Sequence, residues 1–146
     1  LKQSKLLENS HSHAVAKHTL YAVWGILAMV EQKYTEASIA ISKAMGIIES
    51  YQLSFKYVET QLLFIELYIA QGETIEAASL LNTLVQQISN QQHSINDDAL
   101  QCHFDCIKNH LNPKENTYSS WKKKYLKNPR IDVQFHIKRF DNYDFE

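Results

Sequence analysis

"EQKYTEASIAISKAM", Glu31 to Met45, holds small residues where a generic amphipathic helix would hold leucine: Ala37 and Ala44 lie seven apart on the face of Ile41, behind Tyr34. Forty residues on, "QGETIEAASLLNTLV", Gln71 to Val85, repeats the design. Glu36 falls on Glu76, Ala37 on Ala77, Ile41 on Leu81 and Ala44 on Leu84. The preceding segments align in the same register, Trp24 with Phe64, Leu27 with Leu67 and Val30 with Ala70. One helical pair is written twice, and self-similarity at such a period is the mark of a helical repeat.

The composition agrees with an all-α class. Three Gly and two Pro in 146 residues are too few for the many tight turns of a sandwich or barrel. A hydrophobic share of 45% against 21% charged is that of a globular chain, and the length suits one domain. Helical periodicity predicts helices over about 14–32, 35–51 and 55–70, a fourth from after the break "QGET" to about 89, a fifth before Pro113, and a sixth over about 116–127. Asn96 or Asp97 is the expected N-cap of the fifth, and Pro113 and Pro129 are expected stops. Short breaks between them imply antiparallel neighbours. A further helix is expected from Leu1 to about Asn9, with "NSHSH" as a polar loop after it.

"LYAVWGILAMV", Leu20 to Val30, is the most apolar run. As a helix it spans ~16 Å, short of the ~20 residues a bilayer needs, so no membrane span is expected. A helix apolar on most sides is expected to be buried between others.

The repeated pair resembles a tetratricopeptide repeat (TPR-like). The first copy offers Tyr21, Trp24-Gly25 and Ala28, then Ala37, Ile41 and Ala44; the second offers Gln61, Phe64-Ile65 and Tyr68, then Ala77, Leu81 and Leu84. The "KYTEA" joint is the best part of the match. The period departs from the family's ~34 residues, and the closing proline is absent, with Glu49 and Ser89 near its place. Residues 14–89 carry the resemblance. It implies antiparallel pairs stacked as a superhelix over 1–128, with helices five and six as a divergent third copy. Helix B must then nest against two neighbours at about 8–10 Å between axes, which gives Gly25 and Ala37 a reason to be small.

The tail, 129–146, changes period. Ile131, Val133, Phe135 and Ile137 alternate with polar residues, which predicts an extended or strand-like segment. A lone strand is unstable, so the tail is expected to pair with another copy as a homo-oligomer contact, to begin a following domain, or to lie along the repeat surface.

Candidate sites are few. Cys102, Cys106 and His110 recur every four residues with His103 beside them, but three residues on one stripe do not close a tetrahedral zinc site. Two half-buried cysteines and a surface histidine are expected instead. His11 and His13 lack a nearby carboxylate or cysteine, so no metal and no other cofactor is expected. No nucleophile elbow, phosphate loop or zinc-protease motif is present, and the chain reads as no enzyme. Residues 46–100 carry one base, Lys56, against seven acids, whereas 101–130 carry seven bases against two. "WKKKYLKNPR", with Trp121 and Tyr125, offers a basic stripe, yet a solvated last helix explains it better than nucleic acid. Two cysteines too close for a framework point to a reducing, cytoplasmic setting.

The expected function is a non-catalytic protein–protein interaction module, since stacked pairs make a surface for a peptide, a helix or a partner subunit. By the resemblance, Tyr21, Gln61 and Tyr68 are its first partner-binding candidates. The alternative is a ligand- or peptide-sensing regulatory segment of a larger signalling or transcriptional regulator; the leucine start and the strand-like tail favour that version.

Overall fold

The computed structural model describes residues 2–113 and 117–143, with side chains described over 11–113 and 122–143. Every regular element among them is helical: α1 (Lys2–Val30), α2 (Tyr34–Tyr51), a short 3-10 turn (Ser54–Lys56), α3 (Tyr57–Ala70), α4 (Thr74–Ser89), α5 (Asp98–Leu111), α6 (Thr117–Leu126) and α7 (Ile131–Asp141). The chain forms two compact units, Leu1–Leu67 and Tyr68–Glu146, with α3 running across the boundary.

In the first unit α1 and α2 are an antiparallel pair. Their core joins Ala22, Ala28 and Met29 to Ala37 and Ile41, and Leu63 and Leu67 of α3 complete it. The small residues do what their size suggests. Gly25 is so close to α2 that a Cβ there would stand 2.7 Å from Ile41 Cγ1 and 3.7 Å from the Ala37 carbonyl oxygen. Ala37, Ile41 and Ala44 are fully buried. Ala37→Leu is therefore expected to overpack the pair and lower its stability by about 1–3 kcal/mol. An unchanged urea midpoint in that variant would contradict the contact.

The 40-residue repeat extends to backbone detail. In the first joint the Lys33 amide donates to the Ala28 carbonyl at 2.8 Å and the Gln32 amide to Met29 at 3.0 Å. In the second, Glu73 donates to Tyr68 at 2.8 Å and Gly72 to Ile69 at 3.0 Å. Each joint turns on a left-handed residue, Gln32 (φ 61°) or Gly72 (φ 79°). This is the bond pattern of a Schellman helix end. Each next helix then starts alike, Ala37 donating to Lys33 and Ala77 to Glu73. Ala77, Leu81 and Leu84 form the buried face of α4.

In the second unit α5 begins at Asp97, whose carboxylate accepts the Ala99 amide at 2.8 Å and that of Leu100 at 3.4 Å. α5 packs on α7, Cys102, Cys106 and Ile107 lying buried with Val133, Ile137 and Phe140. Polar ties bind the three last helices. Tyr125 of α6 donates its hydroxyl to Asp105 at 2.9 Å, and Gln134 of α7 donates to the carbonyls of Tyr125 and Asn128, both at 2.8 Å. Arg130 bridges Asp97 and Asp132.

Three expectations are corrected. The tail is helix α7, not a strand. Its alternating series contains Val133 and Ile137, which with Phe140 are spaced i, i+4, i+7 and are buried, while Ile131 is 87% exposed. A helix satisfies its own backbone groups where a single strand cannot, and α5 supplies the apolar face that covers it. The tail docks within its own unit, so no unpaired strand is left to join a second copy. Second, α1 is continuous from Lys2 through His11 and His13, with no polar loop between two helices. Third, Leu20–Val30 is not buried on most sides, which bears directly on function.

Candidate functional site

The inward face of α1 consists mainly of Ala22, Gly25, Ala28 and Met29. At Gly25 α2 comes so close that even a Cβ would meet Ile41, so no larger side chain fits there. Met29 and His18 apart, the large side chains of this stretch point the other way. Leu20 is 69% exposed, Trp24 53%, Leu27 51%, and Val23 and Val30 about half. Positions 20, 23, 24, 27 and 30 fall on one side of a 3.6-residue helix. Contiguous apolar surface of this kind marks an interaction site more often than a single exposed leucine does.

The 40-residue register pairs this face with a counterpart on α3. A shift of 40 carries Leu20, Val23, Trp24 and Leu27 onto Thr60, Leu63, Phe64 and Leu67 of α3. Those residues are covered: Thr60, Leu63 and Leu67 are buried, and Phe64 packs against the α1–α2 core. The second copy uses this face to dock on a helix pair; the first copy presents the same face uncovered.

Of the predicted partner-binding residues, Tyr21 borders the stripe. It is half-buried, stacked on Trp24 with ring centroids 6.4 Å apart, and has Lys43 Nζ 5.6 Å above its ring. Gln61 and Tyr68, seven apart on α3, are each half-buried. Trp24, expected as a packing position of the repeat, is instead part of the outward face.

The first unit also holds a buried polar pair that local sequence does not reveal. His18, fully buried, donates from Nε2 to Thr60 Oγ1 at 2.7 Å, because the Thr60 hydroxyl itself donates to the Lys56 carbonyl at 3.0 Å. Burial holds the His18 imidazole below its ordinary pKa, against an opposing pull from Glu59 and with a smaller push from Lys56. It is a neutral core histidine, forty-two residues from its partner.

The Cys–His stripe of α5 is packing. Cys102 and Cys106 are fully buried rather than half-buried, and the Cys102 thiol faces the Val133 carbonyl at 3.8 Å. His103 is buried and stacks on His136 at 4.4 Å between centroids. His110 is half-buried rather than on the surface, edge-on to Phe140 and Tyr143, and burial lowers its pKa. The register of α7 against α5 brought these rings together, and that register depends on the tail being helical. Among the described residues no group of three or more His, Cys, Asp or Glu could hold a metal ion.

An open cleft of about 630 Å³ lies between the end of α4, the 90–97 connection and α5, over Val85, Ile88, Ile95 and Phe104. Its rim carries His93, Gln101 and Lys108, the last with Nζ 5.0 Å above the Phe104 ring. Its lining carries no carboxylate. Sequence reading missed it because its wall is a polar connection with a single apolar residue, Ile95.

On the basic segment, Lys122 pairs with Asp141 at 3.0 Å and Arg130 with two acids, so both cations are engaged within the unit. The side chains of Tyr118 and Trp121 lie outside the described residues. No helix among the described residues is long and apolar enough to cross a membrane. No family model matches the chain, and no curated protein or solved structure is found to be similar to it.

Proposed function

We propose that this chain is a non-catalytic, TPR-like protein–protein interaction module whose docking surface is the outward face of α1. One observation carries the reading: the face that α3 buries against the first helix pair is, forty residues earlier on α1, apolar and uncovered. Such a face fits a partner that presents an apolar helix, by ridges-into-grooves packing. Leu20, Val23, Trp24 and Leu27 supply the anchors, with Tyr21 at the edge. The regulatory-segment alternative drew on a strand-like tail, and with the tail folded as α7 onto α5 that support is gone.

The test is selection from a displayed library of amphipathic helical peptides, using the wild-type chain and a Val23→Glu/Leu27→Glu variant. Both substitutions replace exposed residues, so the fold should survive, as circular dichroism will verify. Peptides enriched by the wild type should lose at least about tenfold in affinity for the variant, the scale of two desolvated anchors. Selected peptides that bind both chains equally would contradict the proposed surface, and no enrichment would contradict the module.

A further inference from the structure

The stripe on α1 has a narrower pattern than a general apolar face. Ala16, Leu20, Val23, Leu27 and Val30 follow one another at spacings of 4, 3, 4 and 3. That is the a/d alternation of a coiled-coil seam, in which each side chain enters a hole on a facing helix. All five are exposed. The seam runs for ~21 Å along α1, a length that a second helix lying alongside would cover.

The flanks say which helix. Beside the seam, at seven-residue intervals, stand Lys17, Trp24 and Glu31, all exposed. A cation and an anion placed symmetrically about a tryptophan form a self-complementary set under a two-fold axis. Two copies of α1 running antiparallel place Leu20 of one against Val30 of the other, and Val23 against Leu27. Trp24 then meets Trp24 near the axis, and Lys17 of each copy faces Glu31 of the other, twice per pair. A parallel pair would instead bring Glu31 toward Ile26, which is apolar and half-buried, and would leave Lys17 without an acid. Glu31 now pairs with Lys33 at 3.1 Å, both side chains more than half exposed. An ion pair that exposed is weak and exchanges readily.

Area is consistent with this occupant. Leu20, Val23, Trp24, Leu27 and Val30, each roughly half exposed or more, offer on the order of 500 Å² per copy. Two copies would bury about 1,000 Å², the lower bound for a specific interface and the range of reversible association. We infer that the partner seated on this face is a second copy of the chain, packed antiparallel through α1 as an isologous dimer. The inference rests on the docking-surface reading above and adds the identity of the occupant.

Sedimentation of the full chain between about 1 and 200 µM tests it, covering the range expected of an interface this small. The expected result is a monomer–dimer equilibrium that Leu27→Glu abolishes. Lys17→Glu should weaken the dimer about tenfold, because it sets like charges together twice. Adding Glu31→Lys to Lys17→Glu should restore it to near wild type. A chain that stays monomeric throughout overturns the inference, and so does a dimer indifferent to Leu27→Glu. A double charge exchange no tighter than Lys17→Glu overturns the antiparallel arrangement. A monomer that still selects helical peptides through Val23 and Leu27 would refute the dimer while leaving the docking surface standing, so the two failures are distinguishable.

Discussion

Ile41→Ala is expected to destabilise the first unit by about 2–5 kcal/mol, in the upper part of that range. The side chain is fully buried; across the pair stand Ala22, Gly25 and Ala28, and Ala37 lies one turn before it on α2. These small residues cannot reach into the space that the isoleucine leaves, so any collapse is left to Met29, Leu63 and Leu67 of the same cluster. The same geometry predicts a rescue. In the wild type, a methyl at Gly25 stands 2.7 Å from Ile41 Cγ1, so Gly25→Ala brings a steric cost that offsets its gain in helix propensity. In the Ile41→Ala background the clash is gone, and the full gain of about 1 kcal/mol returns, with some filling of the void. Chemical denaturation of the four chains should give a coupling of about 1–2 kcal/mol, within the range of residues in direct contact. Additive effects would place the two helices further apart than described.

Acidification is the second large effect. His18 and His110 both have folded pKa values below 6.5, His18 through burial against an opposing pull from Glu59 and with a smaller push from Lys56, His110 through burial. The unfolded chain therefore binds more protons than the folded one once the pH drops below that value. The stability contribution is fully present above pH 6.5 and is lost as pH falls from 6.5 toward the folded values. Each histidine can add a slope of at most about 1.4 kcal/mol per pH unit. His18 acts on the first unit and His110 on the second. Asp97 enters later. Burial pushes its carboxyl up, but the Arg130 hydrogen bond and the amides of Ala99 and Leu100 hold it below 3.8. Its contribution, present above 3.8, is lost only as the pH drops below that value. Urea midpoints should be level above pH 7 and should decline from 6.5 to 5. In His110→Gln the decline should be shallower for the second unit alone. A wild-type midpoint unchanged down to pH 5 would contradict neutral buried imidazoles.

The helices of the repeat were legible because the signals are local. Ala37 and Ala77, with the joints before them, carry the same hydrogen bonds forty residues apart. Asp97 as N-cap and the ends near Pro113 and Pro129 follow from backbone chemistry that any single chain shows. What was not legible depended on which neighbour each face meets. The run Leu20–Val30 is apolar all round, and hydropathy alone places it inside. The large side chains of the stripe face out because at Gly25 α2 comes too close for anything bigger. The tail misled for a related reason: Val133 and Ile137 satisfy period two and period 3.6 equally. Only Phe140, past the alternating run, and the apolar side of α5 decide between them. The proposed docking face rests on comparing Leu63 and Leu67, which are covered, with Val23 and Leu27, which are not.

The claim that the stripe from Leu20 to Val30 faces outward while Ala22, Gly25 and Ala28 face α2 has one direct measurement. Leu27→Glu and Ala28→Glu place the same charge on adjacent residues of one helix, with wild-type exposures of 51% and 3%. Urea unfolding is to be compared for both at concentrations where the chain is monomeric. Leu27→Glu should stay within about 1 kcal/mol of the wild type, since leucine and glutamate have similar helix propensities. Ala28→Glu should cost at least about 3 kcal/mol, because it buries an unpaired carboxylate against α2. The reverse order, with Leu27→Glu the more damaging, would put the stripe in the core and remove the docking surface.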